Sequence, residues 1–145
     1  MDPRSATAVW KGSGLEGSGV ISTVSGALSG QPYTFKTRFQ SEDGKAGTNP
    51  EELIAAAHAA CFSMALSFAL SGAGTPPQSL ETKAEVSLRQ TDGKFKISGI
   101  HLSVVGTVSG LDAQKFTALA EGAKAGCPIS QALSAVPITL EARLA

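Results

Sequence analysis

The sequence predicts an α+β fold in which an antiparallel sheet packs on one long, buried central helix. The run from Asn49 to Leu70 is almost wholly apolar and begins with a helix start signal. On both sides of this run, short stretches alternate apolar and polar residues, as half-buried strands do. The resulting order is strands, a long helix, a strand pair, helices and a last strand, and such segregation of strands and helices is typical of the α+β class.

Length and charge narrow the class of protein further. The chain has 145 residues, which a single domain over 1–145 accommodates. Twelve basic and twelve acidic residues give a formal net charge of zero, so neither nucleic acid nor a membrane surface is an expected partner. The opening residues, MDPRSATAVW, contain no basic segment followed by an apolar one. No export signal is visible, and a cytoplasmic location is expected.

Three short strands are predicted before the long helix. They cover residues 5–11, 18–24 and 32–39. The connecting segments, GSGLEGSG and SGALSGQP, are rich in glycine and proline, which favour turns. In the third strand, a two-residue period puts the tyrosine and phenylalanine side chains on one face and Arg38 on the other.

The long helix has a clear beginning. Asn49 is a good N-cap, Pro50 suits the first helical position, and Glu51 and Glu52 place negative charge at the positive end of the helix dipole. Beyond them the helix is apolar on all sides, so it has to be covered on all sides. A chain of ~150 residues buries only about 70% of its unfolded surface, so a second subunit is expected to complete the cover.

A membrane span is the alternative for this helix, because about 20 apolar residues suffice to cross a bilayer. The run is rich in alanine rather than leucine, carries His58 in its middle, and has no aromatic or basic belt at its ends. A buried helix of a soluble protein is therefore the preferred interpretation.

The second half of the chain predicts a hairpin followed by helices and a strand. Residues 79–89 alternate in polarity, Asp92-Gly93 forms a turn, and the return strand over 94–107 changes phase near Ser98-Gly99, which indicates a bulge. An amphipathic helix follows from Leu111 to Ala125, ended by Gly126, and a short helix opens at Cys127-Pro128. The closing strand alternates at Ile138, Leu140, Ala142 and Leu144.

Cys61, in the middle of the long helix, is a possible nucleophile, although a buried cysteine is more often a core residue. Burial raises the pKa of a thiol, so reactivity requires a cation near Cys61. His58 lies on the same helical face, but no residue is spaced to orient its ring, which favours a core histidine over a Cys-His dyad. Arg38 is the better cation because it stays protonated.

Glu51 can hold Arg38 through a two-pronged carboxylate contact. Ten residues of helix put Glu51 roughly 15 Å along the axis from Cys61, so Arg38 bridges that gap or the carboxylate comes from another subunit. Cys127 lies where one helix ends and another begins, and backbone N–H groups there would favour a thiolate. A metal site formed by the cysteines with His58 and His101 is not expected, because no pair has zinc-finger spacing.

Three segments resemble one known family. They are NPEELIAAAHAACFSMAL with Cys61, GCPISQAL with Cys127, and YTFKTRF with Arg38. In this order they are similar to the motifs of the OsmC/Ohr family of osmotically inducible and organic hydroperoxide resistance proteins, and most similar to its OsmC branch. The resemblance extends from Trp10 to Leu144. The one departure at the motif positions is Ile129, where valine is common.

The resemblance implies an OsmC-like fold in an intertwined homodimer with active sites at the subunit interface. It implies a thiol peroxidase without metal or haem, in which Cys61 is the peroxidatic and Cys127 the resolving cysteine. Arg38 and Glu51, from the same or the opposite subunit, would activate the thiolate. The expected partners are an organic hydroperoxide substrate and an external dithiol reductant, of the lipoyl type or another small dithiol.

The surroundings of Cys61 predict a preference for bulky organic peroxides over hydrogen peroxide. The apolar residues concerned are Ile54, Phe62, Met64 and Phe68. Two other functions stay open. One is a non-catalytic dimer that binds a hydrophobic small molecule, and the other is a thiol redox sensor.

Overall fold

A computed structural model describes all 145 residues, and its elements confirm the α+β class. The strands are β1 (Ala6–Lys11), β2 (Ser18–Thr23), β3 (Gln31–Thr34), β4 (Ser79–Thr91), β5 (Lys94–Thr107) and β6 (Ile138–Leu144). The helices are α1 (Phe35–Phe39), α2 (Pro50–Gly72), α3 (Ala113–Gly126) and α4 (Pro128–Ala132). The chain divides into two compact units, Met1–Leu53 and Ile54–Ala145. The single domain over residues 1–145 stays a prediction.

The first unit contains an antiparallel sheet in the order β1-β2-β3. In its register Gly19 lies opposite Trp10 on one side and Tyr33 on the other. The two rings pack over this glycine with centroids 5.3 Å apart. A Cβ atom on residue 19 would lie 2.5 Å from the Tyr33 ring, so only glycine fits beneath the aromatic pair.

The third predicted strand is only half a strand, because the chain turns into helix α1 after Thr34. Thr34 and Thr37 cap this helix reciprocally: the Thr37 N–H donates to Thr34 Oγ1 at 3.2 Å and the Thr34 N–H donates to Thr37 Oγ1 at 2.9 Å. The prediction that Arg38 points away from an aromatic strand face is therefore wrong. Phe35 and Phe39, four residues apart, stack across a helical turn with centroids 4.9 Å apart.

In the second unit, β4 and β5 form the predicted hairpin. Asp92 and Gly93 turn the chain with positive φ values of 51° and 72°, the backbone that a two-residue hairpin loop of type I′ requires. The pairing slips between Ser87, opposite Gly99, and Leu88, opposite Ile97. Ser98 is the extra residue, which confirms the predicted bulge.

The closing strand β6 pairs with β5 in parallel, so the expectation of a wholly antiparallel sheet is wrong. Helices α3 and α4 connect the two strands, and a helical crossover is what allows consecutive strands of one sheet to run in the same direction. The alternation of polarity in β6 is present, but it is the same for parallel and antiparallel neighbours.

Helix α2 begins and ends close to the predicted residues, but a single chain buries only one stripe of it. The stripe repeats every four residues through His58, Phe62, Leu66 and Leu70. Its three apolar members form a core cluster with residues of β5 and α3, which are Leu102, Val104, Phe116, Ala120 and Ala123. By contrast, Met64 and Phe68 are 63% and 74% exposed.

The expected burial of α2 on all sides is thus not present within one chain. By length and composition alone, with a mean hydropathy of 1.9, α2 could also cross a membrane. Met64 and Phe68 thus belong to an apolar face of α2 that the single chain leaves uncovered.

The one polar residue of the buried stripe is His58. Its side chain is fully buried, and Nε2 lies 2.7 Å from Ser130 Oγ. Nδ1 has no hydrogen-bond partner. Burial lowers the pKa of His58, so the ring is neutral near pH 7. The interpretation of His58 as a core histidine is confirmed.

This burial predicts that stability falls in mild acid. In the unfolded chain a histidine titrates at about pH 6.5, whereas folded His58 takes up its proton only at lower pH. As the pH falls below the unfolded pKa, the unfolded state binds the proton first, and stability is lost until the folded pKa is reached. Between pH 6.5 and 5, the wild type should lose up to about 1.4 kcal/mol per pH unit more than the His58→Gln variant.

Urea unfolding at fixed protein concentration and a series of pH values measures this difference. Equal pH dependence in the two proteins would contradict it.

Candidate active site

The structure brings together the two cysteines of the chain. Cys61, in α2, and Cys127, between α3 and α4, are 66 positions apart in sequence, yet their Sγ atoms are 2.8 Å apart. Both are free thiols in this structure. Cys127 is fully buried and Cys61 is half-buried. Two thiols at this distance need only a small movement to form a disulfide, for which the S–S length is about 2.05 Å.

Cys127 is placed by a break between two helices. Its N–H donates to Ala123 O at 2.9 Å as the last bond of α3, and its carbonyl accepts from the Gln131 N–H at 3.0 Å as the first bond of α4. Pro128 disfavours helical backbone at the residue before it and is well suited to the first position of a new helix. The break predicted from Gly126 and Pro128 therefore falls at the cysteine itself.

The electrostatic environment within this unit does not favour a Cys61 thiolate. Burial raises the pKa of Cys61, and the neighbouring Cys127 thiol raises it further. The backbone N–H of Ile129, in the first turn of α4, acts in the opposite direction, because it donates to the Cys61 sulfur. The raising causes prevail. A cation is therefore required for Cys61 to ionise near neutral pH.

His58 cannot be that cation, because its burial keeps the ring neutral. It lies three residues before Cys61, but its bonded nitrogen contacts Ser130 rather than a sulfur. The Cys-His dyad that the sequence spacing allowed is therefore absent from this structure.

The predicted two-pronged contact between Arg38 and Glu51 is present in the first unit. Arg38 Nη2 donates to Glu51 Oε1 at 2.7 Å, and Arg38 Nε donates to Glu51 Oε2 at 3.2 Å. The Arg38 guanidinium also lies over the Phe39 ring, with Cζ 4.9 Å from the centroid. A bidentate ion pair backed by a cation–π contact holds the guanidinium in one orientation.

The first turn of α2 distinguishes between the two adjacent glutamates. Glu52 is engaged locally, because its N–H donates to Asn49 Oδ1 at 2.8 Å and its carboxylate accepts from Thr48 Oγ1 at 3.2 Å. Glu51, whose side chain is only 12% exposed, is left for Arg38. That Arg38 and Glu51 act on Cys61 stays a prediction.

Sequence reasoning missed three contributors to these contacts: Phe39, Ser130 and the Ile129 N–H. A signal for Ser130 was available, because it follows Cys127 by three residues just as Cys61 follows His58. Phe62, one of the four apolar residues named as the surroundings of Cys61, is fully buried in the core and has no surface to offer a substrate.

Comparisons with known proteins identify the family of the chain. The family model described as OsmC-like protein matches residues 42–141. Peroxiredoxin OsmC of Escherichia coli K12 is 53% identical over 135 residues, covering 93% of this chain and 92% of the relative. Organic hydroperoxide resistance protein OhrB of Bacillus subtilis is 38% identical over 93 residues, covering 63% of this chain and 65% of the relative.

The fold itself is also shared with solved structures. The crystal structure of Bacillus subtilis OhrB superposes with a TM-score of 0.73 at 32% identity, covering 95% of this chain and 97% of that one. An organic hydroperoxide resistance protein OsmC from Legionella pneumophila superposes with a TM-score of 0.70 at 26% identity, covering 97% of this chain and 96% of that one. With a family model that matches most of its length, the chain belongs to the OsmC family, as the cysteine motifs predicted.

Proposed function

We propose that this protein is a cysteine-based peroxidase that reduces organic hydroperoxides to alcohols. The observation that carries the proposal is the 2.8 Å approach of two free thiols from distant parts of the chain. Relatives named peroxiredoxin and organic hydroperoxide resistance protein support a peroxide-directed redox activity. A protein that only bound an apolar molecule would have no need for this pairing of sulfurs.

In the first step, the Cys61 thiolate attacks the distal oxygen of ROOH. The O–O bond breaks, the distal OH group is transferred to sulfur, and Cys61 becomes a sulfenic acid. The alkoxide that leaves takes up one proton from water, which balances the proton lost when the Cys61 thiol ionised, and departs as the alcohol. Arg38, of the same or the partner subunit, stabilises the thiolate and the negative charge that develops on the leaving oxygen. Glu51 and Phe39 hold the guanidinium so that it does not have to be ordered during the reaction.

In the second step, the Cys127 sulfur attacks the Cys61 sulfenic sulfur, and water leaves as the disulfide forms. A dithiol reductant then reopens the disulfide by thiol–disulfide exchange. A lipoyl-type dithiol is proposed on the strength of the family resemblance. The chemistry uses the protein's own sulfurs and involves no resident metal or cofactor.

The substrate proposed is a bulky organic hydroperoxide rather than hydrogen peroxide. Met64 and Phe68 follow Cys61 by three and seven residues, so they share its face of α2, and both are exposed in the single chain. These side chains offer apolar contact to the organic group of a hydroperoxide near the reactive sulfur. Hydrogen peroxide has no such group to bind there.

We also propose that the protein is a soluble, cytoplasmic homodimer in which a second copy covers the exposed face of α2. The chain carries a formal net charge of zero, which gives no electrostatic attraction to an anionic bilayer. Contiguous exposed apolar side chains on a helix that also carries the reactive cysteine favour an interface beside the active site.

Oxidation by one equivalent of cumene hydroperoxide, followed by intact-mass and peptide mass spectrometry, tests the two sulfur steps. The wild type should lose two hydrogens and yield a Cys61–Cys127 crosslink. The matched variants separate the steps: Cys127→Ser should gain one oxygen at Cys61, and Cys61→Ser should not react.

Binding of an apolar dye by Cys61→Ser, with no crosslink in the wild type, would instead support the binding function. A disulfide that a dithiol such as dihydrolipoamide reopens only very slowly would favour the redox sensor.

Replacement of Arg38 tests the proposed cation. Arg38→Met should slow formation of the Cys61 sulfenic acid by about 100-fold, because a preorganised charge of this kind contributes that much in other enzymes. The rate of Cys61 alkylation as a function of pH should shift to higher pH, because the thiolate loses its positive neighbour. Lys36→Met, which removes one exposed positive charge from the same short helix, is the matched control and should behave like the wild type. Unchanged alkylation in Arg38→Met would refute the role.

Phe68→Glu tests the proposed dimer. A carboxylate in a dry interface has no partner, so the variant should be monomeric by light scattering at concentrations where the wild type is dimeric. Ala118→Glu places the same charge on an exposed position of α3 and should leave the mass unchanged. A monomeric wild type, or one that floats with phosphatidylcholine vesicles, would contradict the dimer, and flotation would favour a membrane.

A further inference from the structure

Two side-chain contacts join helix α2 to the segment formed by Cys127 and α4, and the proposed reaction uses only one of them. The first is the approach of Cys61 and Cys127, with the sulfurs 2.8 Å apart. The second is the hydrogen bond between His58 Nε2 and Ser130 Oγ, 2.7 Å long and buried. On each segment the two residues are three positions apart, and they pair in opposite order. The two contacts are therefore neighbours, and the backbones of α2 and of the segment from Cys127 to Ser130 run in opposite directions.

The position of α4 depends on such contacts. With five residues, α4 is too short to be a stable helix by itself. The contact between the two thiols changes in the proposed reaction, because Cys61 gains an oxygen and no longer accepts the hydrogen bond of the Cys127 sulfhydryl in the same way. The His58–Ser130 hydrogen bond contains no sulfur, so it can persist while Cys61 is a sulfenic acid.

The hydrogen bond is the only polar contact of the His58 ring. Ser130 is its one hydrogen-bond partner, and Nδ1 is buried without any. Removal of the Ser130 hydroxyl would therefore leave the buried ring with no hydrogen-bond partner.

From these contacts we infer that His58 and Ser130 are positioning residues that keep the Cys127 turn docked against α2, so that Cys127 stays within reach of Cys61. This inference rests on the proposed role of Cys127 as the resolving cysteine. Neither residue touches the reacting atoms. His58 and Ser130 act by keeping the local concentration of the Cys127 thiol at Cys61 high.

The equilibrium with dithiothreitol measures that local concentration without any peroxide. The protein dithiol and oxidised dithiothreitol exchange to give the protein disulfide and reduced dithiothreitol, with two electrons and two protons transferred. Ser130→Ala should lower the equilibrium constant for disulfide formation by about tenfold, because losing the bond and stranding His58 lets the reduced protein undock α4. Ser130→Thr, which restores the hydroxyl, should return most of the loss.

The chain offers a matched control on the same helix. Ser63 Oγ donates to Thr82 Oγ1 at 2.7 Å, which ties α2 to β4 rather than to α4. Ser63→Ala removes a side-chain hydrogen bond of the same length from α2 and should leave the equilibrium constant unchanged. If Ser130→Ala fails to fold, His58→Asn removes the same hydrogen bond from the α2 side, because the shorter asparagine side chain does not reach Ser130. The same loss in the equilibrium constant is expected.

Two results would overturn the inference. They are a Ser130→Ala constant equal to that of the wild type and an equal loss in Ser63→Ala. Because no peroxide is used, failure here is separate from failure of the peroxidase. A protein whose disulfide equilibrium responds to Ser130 but whose Cys61 ignores cumene hydroperoxide would keep the positioning pair and lose the proposed activity.

Discussion

The close approach of the Cys61 and Cys127 sulfurs is the interaction on which the proposed chemistry of this protein depends. It exists because α3 stops and α4 starts at one residue, so that Cys127 belongs to neither helix and faces α2. Proline at the next position enforces that break through its effect on the preceding backbone. A disulfide in this place would join two segments that the core already packs together.

The burial that accompanies this close approach makes Cys61 less reactive. The same packing that brings the sulfurs together desolvates Cys61 and raises its pKa, and the second thiol adds to the effect. A permanently charged guanidinium can offset this rise in the pKa of Cys61, because it attracts a thiolate and does not lose its proton near neutral pH. The capped helix α1, the bidentate carboxylate and the Phe39 ring hold the Arg38 guanidinium in one orientation, which is what its proposed role requires.

Helix α2 serves two different environments along its length. One stripe, from His58 to Leu70, lies in the core, and a neighbouring stripe with Met64 and Phe68 stays exposed in the single chain. The hydrophobic content of the helix exceeds what a chain of this size covers by itself. The proposed second copy would cover the exposed stripe and place apolar side chains around Cys61.

Local signals in the sequence determined most elements of the fold. The start of α2, the turn at Asp92-Gly93 and the bulge at Ser98 each depend on residues a few positions apart, which the sequence displays directly. At Phe35 and Phe39 two local signals competed. Residues four apart share a face in both a strand and a helix, and the Thr34–Thr37 cap decided for the helix.

The sequence by itself also determined the family, the two cysteine motifs and the Arg38–Glu51 pair. Only the tertiary structure decided the parallel direction of β6, the sulfur–sulfur distance and the pairing of His58 with Ser130. The physical reason is the range of the interactions. Propensity, capping and periodicity act over a few residues, whereas these contacts join residues 38, 66 and 72 positions apart, and packing of the whole unit brings them together.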